Sequence, residues 1–199
     1  KAESLTTAFN RIDQDLQRID AEATQELQGG VESTNSLITR LADLNGQIET
    51  ARAAGSPDLG AEDERDQVVK QLAELAPVNV QENDNEYTVS INGKTVVEGT
   101  TAQTLEIDGA SGTLELQGTD TALALSNEDG KLGAWAHTLG TTLPGIRGAL
   151  DTLANDLTTE VNTAHQAGYG LNDATGGRDF FDPSGTSASS IRLNASLTP

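Results

Sequence analysis

The chain has no cysteine and no methionine, and only 3% of its 199 residues are aromatic. Because cysteine is absent, a disulfide framework, a thiol nucleophile and a thiolate metal site are all excluded. Because aromatic residues are scarce, leucine, valine, isoleucine and alanine must supply most of the core. That composition favours helical assemblies and small sheets over a large globular enzyme. Since methionine is missing even at position 1, we expect a chain excised or processed from a longer one.

Basic residues are also scarce: the chain has 12 of them and 31 acidic residues, so its formal net charge is −19. A phosphate backbone requires a basic footprint, so nucleic-acid binding is disfavoured, and an anionic membrane surface is disfavoured for the same reason. No apolar run is long enough to span a membrane, and no signal peptide is visible at Lys1. The charge is typical of a strongly solvated surface, and a cation-binding role is the alternative.

The first fifty-odd residues carry a heptad pattern that predicts long helices. Apolar residues step by four and three in two series: Leu5, Phe9, Ile12, Leu16, Ile19, Ala23 and Leu27, then Leu37, Leu41, Leu44, Ile48 and Ala51. Between the series, Gly29-Gly30 either ends the first helix, with a cap for the second at residues 33–35, or permits a kinked continuation. The run Gly55-Ser56-Pro57 ends the helical pattern.

A third helix is predicted from about Ala61 to Ala76, with acidic residues in its first turn and Pro77 at its end. The apolar period then changes to two, and Asn92-Gly93 is a strong hairpin signal. We predict a small antiparallel sheet or meander of five or six strands, with a turn at residues 83–85. The strands are expected at residues 78–80, 87–91, 94–98, 104–108, 113–117 and 122–126.

The heptad returns from about Gly130 and runs almost without error to the end of a long helical segment: Leu132, Ala136, Leu139, Leu143, Ile146, Leu150, Leu153, Leu157, Val161 and Ala164. A proline in a helix interior costs roughly 3 kcal/mol, so Pro144 predicts a break or kink at about residues 142–145. The strongest helix is expected over residues 146–167. Leu153 and Leu157 belong to this seam, and replacing either with alanine is predicted to lower the free energy of unfolding by about 2–5 kcal/mol if both are buried. An unchanged thermal melt would instead indicate an exposed seam that serves as a partner surface.

The stretch from Thr163 to Phe181 (TAHQAGYGLNDATGGRDFF) holds most of the residues that could do chemistry. No oriented partner for His165 is near in sequence, so a histidine that packs or bonds the last carbonyls of its helix is favoured over a general base. The glycines follow a helix rather than open one, which disfavours a phosphate loop. A calcium site using Asp173, Asp179 and Asp182 is an alternative, although the EF-hand spacing is not met. We assign no catalytic, cofactor-binding or metal-binding residue.

Four segments form an ordered series that covers nearly the whole chain. They are residues 4–16 (SLTTAFNRIDQDL), 37–80 (LITRLADLNGQIETARAAGSPDLGAEDERDQVVKQLAELAPVNV), 91–105 (INGKTVVEGTTAQTL) and 150–181 (LDTLANDLTTEVNTAHQAGYGLNDATGGRDFF). This series resembles the flagellar hook-associated protein 1 (FlgK) family. The second segment matches the family's helix–linker–acidic helix–strand pattern at Ile38, Leu44, Asn45, Ile48, Arg65, Asp66, Leu72, Leu75, Val78 and Val80. The last segment carries the pattern LD.LA..L...VN..H..G.dl.G..G..FF.

The resemblance implies a structural, non-enzymatic subunit that is exported unfolded through the flagellar type III apparatus and joins the hook to the filament outside the cell. The implied partners are other copies of the protein, the hook protein, the second junction protein and an export chaperone. The family's RD pair before the mid-helix proline is replaced here by Ala136-His137-Thr138. Both terminal heptad segments of the family are missing, so we expect a middle piece that is monomeric in isolation.

The predicted fold class is α+β and mainly α, an elongated antiparallel bundle of heptad helices with a small antiparallel β subdomain. We divide the chain into helices at residues 1–76, the β subdomain at 77–127, return helices at 128–168, and a glycine-rich corner at 169–199. In that corner Phe180-Phe181 is expected to pack back on the bundle, and residues 189–193 are predicted to form a strand. The alternative function is a secreted adhesion module, which would carry a ligand-sized exposed apolar patch on its sheet.

Overall fold

The computed structural model describes residues 1–83, 86–108, 113–119, 121–169 and 176–197. The turn predicted at residues 84 and 85 and the candidate calcium ligand Asp173 lie outside these residues. The described part is mostly helical and carries small antiparallel sheets, so the mainly α, α+β fold class is confirmed. By contacts the chain forms two compact units, one of Lys1–Glu22 with Thr141–Pro199 and one of Ala23–Gly140. The four-part division of the chain stays a prediction.

A single helix, α1 (Ala2–Ala53), contains both predicted N-terminal helices. A helix end at Gly29-Gly30 is therefore wrong, and the continuous alternative is the one observed. Apolar residues on both sides of the pair are buried, including Leu27, Val31 and Ile38, and this packing outweighs the weak local signal of the glycines. Residues 33–35 lie inside the helix, where they cap nothing.

The two glycines of α1 differ in what surrounds them. A Cβ at Gly30 would lie 2.8 Å from Cδ2 of Leu132, whereas a Cβ at Gly29 would meet nothing within 4 Å. A glycine in a helix interior is less stable than alanine by about 0.5–1 kcal/mol. The close approach of Leu132 explains why residue 30 is glycine, but nothing in the fold requires glycine at residue 29.

We predict that Gly29→Ala raises the free energy of unfolding by about 0.5–1 kcal/mol, because helix propensity improves without a clash. Gly30→Ala must displace Leu132, which is fully buried, so it should bring no gain. Urea unfolding followed by circular dichroism measures both. Equal stabilisation by the two substitutions would show that the contact between residue 30 and Leu132 does not affect stability.

The second helix, α2 (Leu59–Leu75), begins at Asp58, whose Oδ1 accepts a hydrogen bond from the Ala61 N–H at 3.0 Å. This side-chain cap satisfies one of the unpaired donors of the first turn. Before it, Gly55 adopts a φ of 71°, and the helical pattern ends there as the sequence predicts. The buried side chains of α2, among them Val68 and Leu72, join the core of the 23–140 unit.

Within the described residues, six strands form two antiparallel sheets. The first contains β1 (Val78–Asn83), β2 (Glu86–Ile91), β3 (Lys94–Glu98) and β4 (Thr101–Ala102), in that order, and the second pairs β5 (Leu105–Ile107) with β6 (Leu114–Leu116). The predicted Asn92-Gly93 hairpin is confirmed, since both residues have positive φ, 47° and 75°. The first sheet buries one residue in two along β2: Tyr87, Val89 and Ile91.

The strand predicted at residues 122–126 is wrong, and β4 was not predicted. Ala122 makes only an isolated bridge to Glu115. The Leu123 N–H still bonds the Leu114 carbonyl at 2.7 Å, but the Leu125 N–H bonds back to the Leu123 carbonyl at 2.9 Å. This tight turn curls the chain away from the sheet before a ladder can form.

The return helices begin with α3 (Gly130–His137), which passes through a π-helical turn at Thr138–Thr142 into α4 (Leu143–Gln166). The predicted break at residues 142–145 is a change of helix type rather than an interruption. Pro144 lies in the first turn of α4, where its missing N–H leaves no hydrogen bond unmade.

The segment after α4 contains no strand among its described residues, so the strand predicted at residues 189–193 is wrong. Leu193 makes an isolated bridge to Phe181. The Ser190 and Ile191 N–H groups both bond the Ser187 carbonyl, at 3.1 and 2.8 Å. The serine run favours this local turn because its hydroxyls also bond within the segment.

Candidate interaction surface

The C-terminal segment is held to α4 by Asn162, which is 6% exposed. Its Oδ1 accepts hydrogen bonds from the N–H groups of Phe180 and Phe181, at 2.9 and 2.8 Å, and its Nδ2 donates to the Phe181 carbonyl at 3.0 Å. The amide therefore satisfies three backbone groups at once, and the two groups of Phe181 are buried. This residue was not predicted from the sequence, where its only signal is a polar side chain opposite the apolar seam.

Three more side chains hold the same segment. The Asp151 carboxylate accepts from the Ala188 N–H at 2.8 Å, Thr158 Oγ1 donates to the Gly185 carbonyl at 3.3 Å, and Asn10 Nδ2 of α1 donates to the Ala188 carbonyl at 2.7 Å. With these bonds in place, Phe181 is buried among Phe9, Ala154, Ala188 and Ile191. The C-terminal segment thus covers one side of the α1–α4 pair.

His165 lies in this corner and packs there, but the predicted hydrogen bond to the last carbonyls of α4 is wrong. Its Nδ1 lies 2.7 Å from the Arg178 carbonyl oxygen, and its ring centroid lies 5.5 Å from that of Phe180. Because a carbonyl oxygen only accepts, Nδ1 carries the proton in this contact. The histidine joins the end of α4 to the chain that follows it.

The described aspartates of the candidate calcium set are engaged in local contacts. Asp179 accepts from Gln166 Nε2 at 2.6 Å. Asp182 accepts from the Ser184 hydroxyl and N–H, at 2.7 and 2.9 Å, and pairs with Arg192 at 2.7 Å. The hydrogen bond from the Ser184 hydroxyl is the main reason that the pKa of Asp182 lies below its usual value. No group of three or more acidic or histidine side chains in the described ranges is placed to hold a metal ion.

The heptad residues of α1 divide into a buried row and an exposed row. Phe9, Leu16 and Ala23 are buried, whereas Leu5, Ile12 and Ile19 are 38–45% exposed. Each exposed residue lies one turn before a buried one, so the two rows are neighbours on the helix.

The seam of α4 divides in the same way. Ile146 is 46% exposed and Leu153 is 57% exposed, so the burial assumed for Leu153 is wrong. Leu150 and Leu157 are half-buried beside them. The two helices meet where Arg147 of α4 pairs with Asp20 at 2.7 Å and donates to the Leu16 carbonyl at 3.2 Å.

The exposed rows point away from the two asparagines that bind the C-terminal segment. At about 100° per residue, Leu5 lies on the far side of α1 from Asn10, and Leu153 lies opposite Asn162 on α4. Asn10 and Asn162 are the residues that bind the segment. We call the exposed set the apolar stripe; it consists of Leu5, Ile12, Ile19, Ile146 and Leu153. Its helical spacing is typical of a surface that binds another helix.

The sheets present no comparable patch. Among the described strand residues, Val80 is the only large apolar side chain that is exposed. The adhesion alternative required a ligand-sized apolar patch on the sheet, and that feature is not found in the part of the sheets that the structure describes. None of the described helices is long and apolar enough to cross a membrane.

A buried arginine ties α2 to the sheet. The Arg65 guanidinium carbon lies 3.7 Å from the ring centroid of Tyr87, and Arg65 Nη2 lies 3.1 Å from Glu82 Oε1. Burial raises the pKa of the Tyr87 phenol above its usual value, because the phenolate would be poorly solvated, and the Arg65 charge opposes this rise. Because the folded protein favours the neutral phenol, Tyr87 contributes its full share of stability below about pH 10. That stability is lost as the pH rises through the pKa of Tyr87 in the folded protein.

We predict that Arg65→Met, which keeps the volume but removes the charge, raises the pKa of Tyr87 further. Tyr169 is the only other tyrosine, so phenolate absorbance in a Tyr169→Phe background reports Tyr87 alone. A lower pKa for Tyr87 in the methionine variant would contradict the assignment of Arg65 as the opposing charge.

Comparisons with known proteins agree on one family. A family model described as the flagellar hook-associated protein FlgK helical domain matches residues 1–181. Flagellar hook-associated protein 1 of Escherichia coli K12 is 30% identical over 200 residues, covering 91% of this chain and 35% of that protein. The corresponding protein of Bacillus subtilis 168 is 25% identical over 217 residues, covering 93% of this chain and 43% of that protein. The chain thus spans well under half the length of these relatives.

The fold is also similar to a solved structure. The flagellar hook junction protein FlgK from Burkholderia pseudomallei superposes with a TM-score of 0.75 at 23% identity, over 91% of this chain and 35% of that one. At this identity the likeness concerns the fold alone. The sequence resemblance and the fold therefore lead to the same family.

Proposed function

This chain belongs to the family of the flagellar hook-associated protein FlgK helical domain, and from that membership we propose that it is part of a structural subunit joining the flagellar hook to the filament. The observation that carries the proposal is the match over residues 1–181, together with relatives named flagellar hook-associated protein 1. The subunit acts by shape and contact, without catalysis. It is exported by the flagellar type III apparatus, accompanied by a chaperone, and works outside the cell.

The apolar stripe supports this proposal, because an axial subunit needs surfaces beyond those used to fold. We propose that the stripe is covered by another helical segment in the assembled junction. The partners of the junction are further copies of the protein, the hook protein and the second junction protein.

Acidic side chains border the stripe and argue against pairing of two isolated chains through it. Asp15 and Glu22 lie three residues after Ile12 and Ile19, and Asp156 lies three residues after Leu153, so each acid is a neighbour on its helix. Arg18 pairs with Asp15 and Glu22 at 3.5 and 2.9 Å and offsets part of this charge, but the net charge of −19 still opposes the meeting of two copies. The isolated chain is therefore monomeric, which sedimentation tests.

The function is tested by deleting the gene for the whole protein in its flagellated host. We expect hooks without filaments and loss of swimming, both restored by the wild-type gene. Complementation with His165→Gln should also restore filaments, because the histidine has a structural role at the corner of α4. Normal filaments in the deletion strain would overturn the proposed function.

A further inference from the structure

A cavity of about 520 Å³ opens on the unit formed by residues 23–140. It lies where α1 passes the end of α2 and the first turns of α3. Gly29 and Gly30 of α1 line it together with Leu75, Leu132 and Trp135, the only tryptophan of the chain. Glu26 and Glu32 also line it, three residues before and after Gly29, and so lie along the same helix face.

Gly29 keeps this cavity open. Nothing lies within 4 Å of the position where its Cβ would be, so any larger side chain would project into empty space at the cavity. A glycine there weakens a 52-residue helix, and no packing contact of the fold requires it. The glycine makes sense if the space above it receives a group from another molecule.

The lining of the cavity fits a guanidinium group on an aliphatic stem. Trp135 is partly exposed and lines the cavity, and on an indole ring arginine stacks better than lysine because its charge is planar and less strongly hydrated. Glu26 and Glu32 form no ion pair with any residue in the described ranges, so their carboxylates are available to accept from a guanidinium. Lys131 also lines the cavity, and its ammonium lies 3.9 Å from Glu74 Oε2, so the two acidic side chains still outnumber the one basic side chain. Leu75 and Leu132 provide apolar contact for the methylene groups.

We propose that this cavity is a docking site for an arginine side chain presented by a partner protein. Arginine is enriched at protein interfaces because one side chain combines stacking, paired hydrogen bonds and apolar contact. The site is separate from the apolar stripe, which belongs to the other unit, and it does not depend on the proposed function.

The single tryptophan allows a direct test on the whole chain. We would titrate it with N-acetyl-arginine amide while following the fluorescence of Trp135 and its single indole N–H signal in NMR spectra. We expect a saturable change, with affinity for N-acetyl-lysine amide lower by about threefold or more.

Variants locate the site. Gly29→Leu should fill the cavity and weaken binding by about tenfold or more, while a thermal melt shows that the helix is intact. The double substitution Glu26→Gln with Glu32→Gln should weaken binding about fivefold or more without any risk to the fold. Asp43→Asn removes a similar charge from the same helix outside the cavity and should change nothing.

Three results would overturn the proposal. One is the absence of a saturable signal from Trp135 by both methods. Another is undiminished binding in the double glutamine variant, which decides the matter even if Gly29→Leu fails to fold. The third is equal or tighter binding of the lysine amide, which would mean that the cavity does not select a guanidinium group.

Discussion

Replacing Phe181 with alanine should lower the free energy of unfolding by about 3–5 kcal/mol. The side chain is 2% exposed and packs against Phe9 and Ile191. Its ring also meets that of Phe180 edge-on, with centroids 5.0 Å apart. Because α1, α4 and the C-terminal segment all meet at this ring, no single element can collapse into the space that the substitution leaves. Urea unfolding measures the loss.

Leu153→Ala is the matched control for Phe181→Ala. The leucine belongs to the same heptad helix, but it is 57% exposed, so its truncation should change stability by no more than about 0.5 kcal/mol. Similar losses for the two variants would mean that the stripe is buried in solution. A small loss for Phe181→Ala would mean that the C-terminal segment does not stabilise the helix pair.

The second large effect concerns assembly rather than folding. In the full-length protein, Ile12→Glu together with Leu153→Glu should abolish incorporation into the junction while leaving the fold intact. Both positions are exposed in the described chain, so the fold tolerates the new charges. A carboxylate placed in an apolar contact is instead disfavoured by several kcal/mol. Filament counts by electron microscopy and immunoblots of purified flagella measure the loss.

The control for this pair adds the same charges elsewhere on the same helices. Gln14→Glu and Thr159→Glu are exposed positions outside the stripe, and they should leave filament counts unchanged. If the stripe variant assembles as well as this control, the stripe is an ordinary solvated surface. If both variants fail, the defect arises from added charge rather than from the stripe.

The heptad pattern predicted which segments are helical, but not that the first two of them form one helix. Gly29-Gly30 looked like a helix end because the local preference of glycine is visible in the sequence, whereas the packing of Leu27, Val31 and Ile38 is not. Pro144 looked like a break, but a proline in the first turn of a helix leaves no donor unsatisfied. The Asn92-Gly93 turn was predictable because it depends on two residues alone.

The candidate surface was less predictable than the fold. An apolar heptad residue is equally suited to packing within the chain and to packing on a partner, so Leu16 and Ile12 look alike in sequence although only Leu16 is buried. Asn162 could not be identified either, because its three backbone partners come from a segment about eighteen residues later that reaches it only through folding. Family membership was predictable because the series of segments is long and ordered.

The most direct test of the proposed role is site-specific photo-crosslinking in assembled flagella. A photoreactive amino acid would replace Ile12 or Leu153 in the full-length protein, and Thr159 would serve as the control position. We predict that positions 12 and 153 cross-link in high yield to a helical segment of the flagellar axis, and that position 159 does not. Cross-linking at the control position alone, or none at positions 12 and 153 in flagella that carry normal filaments, would contradict the account.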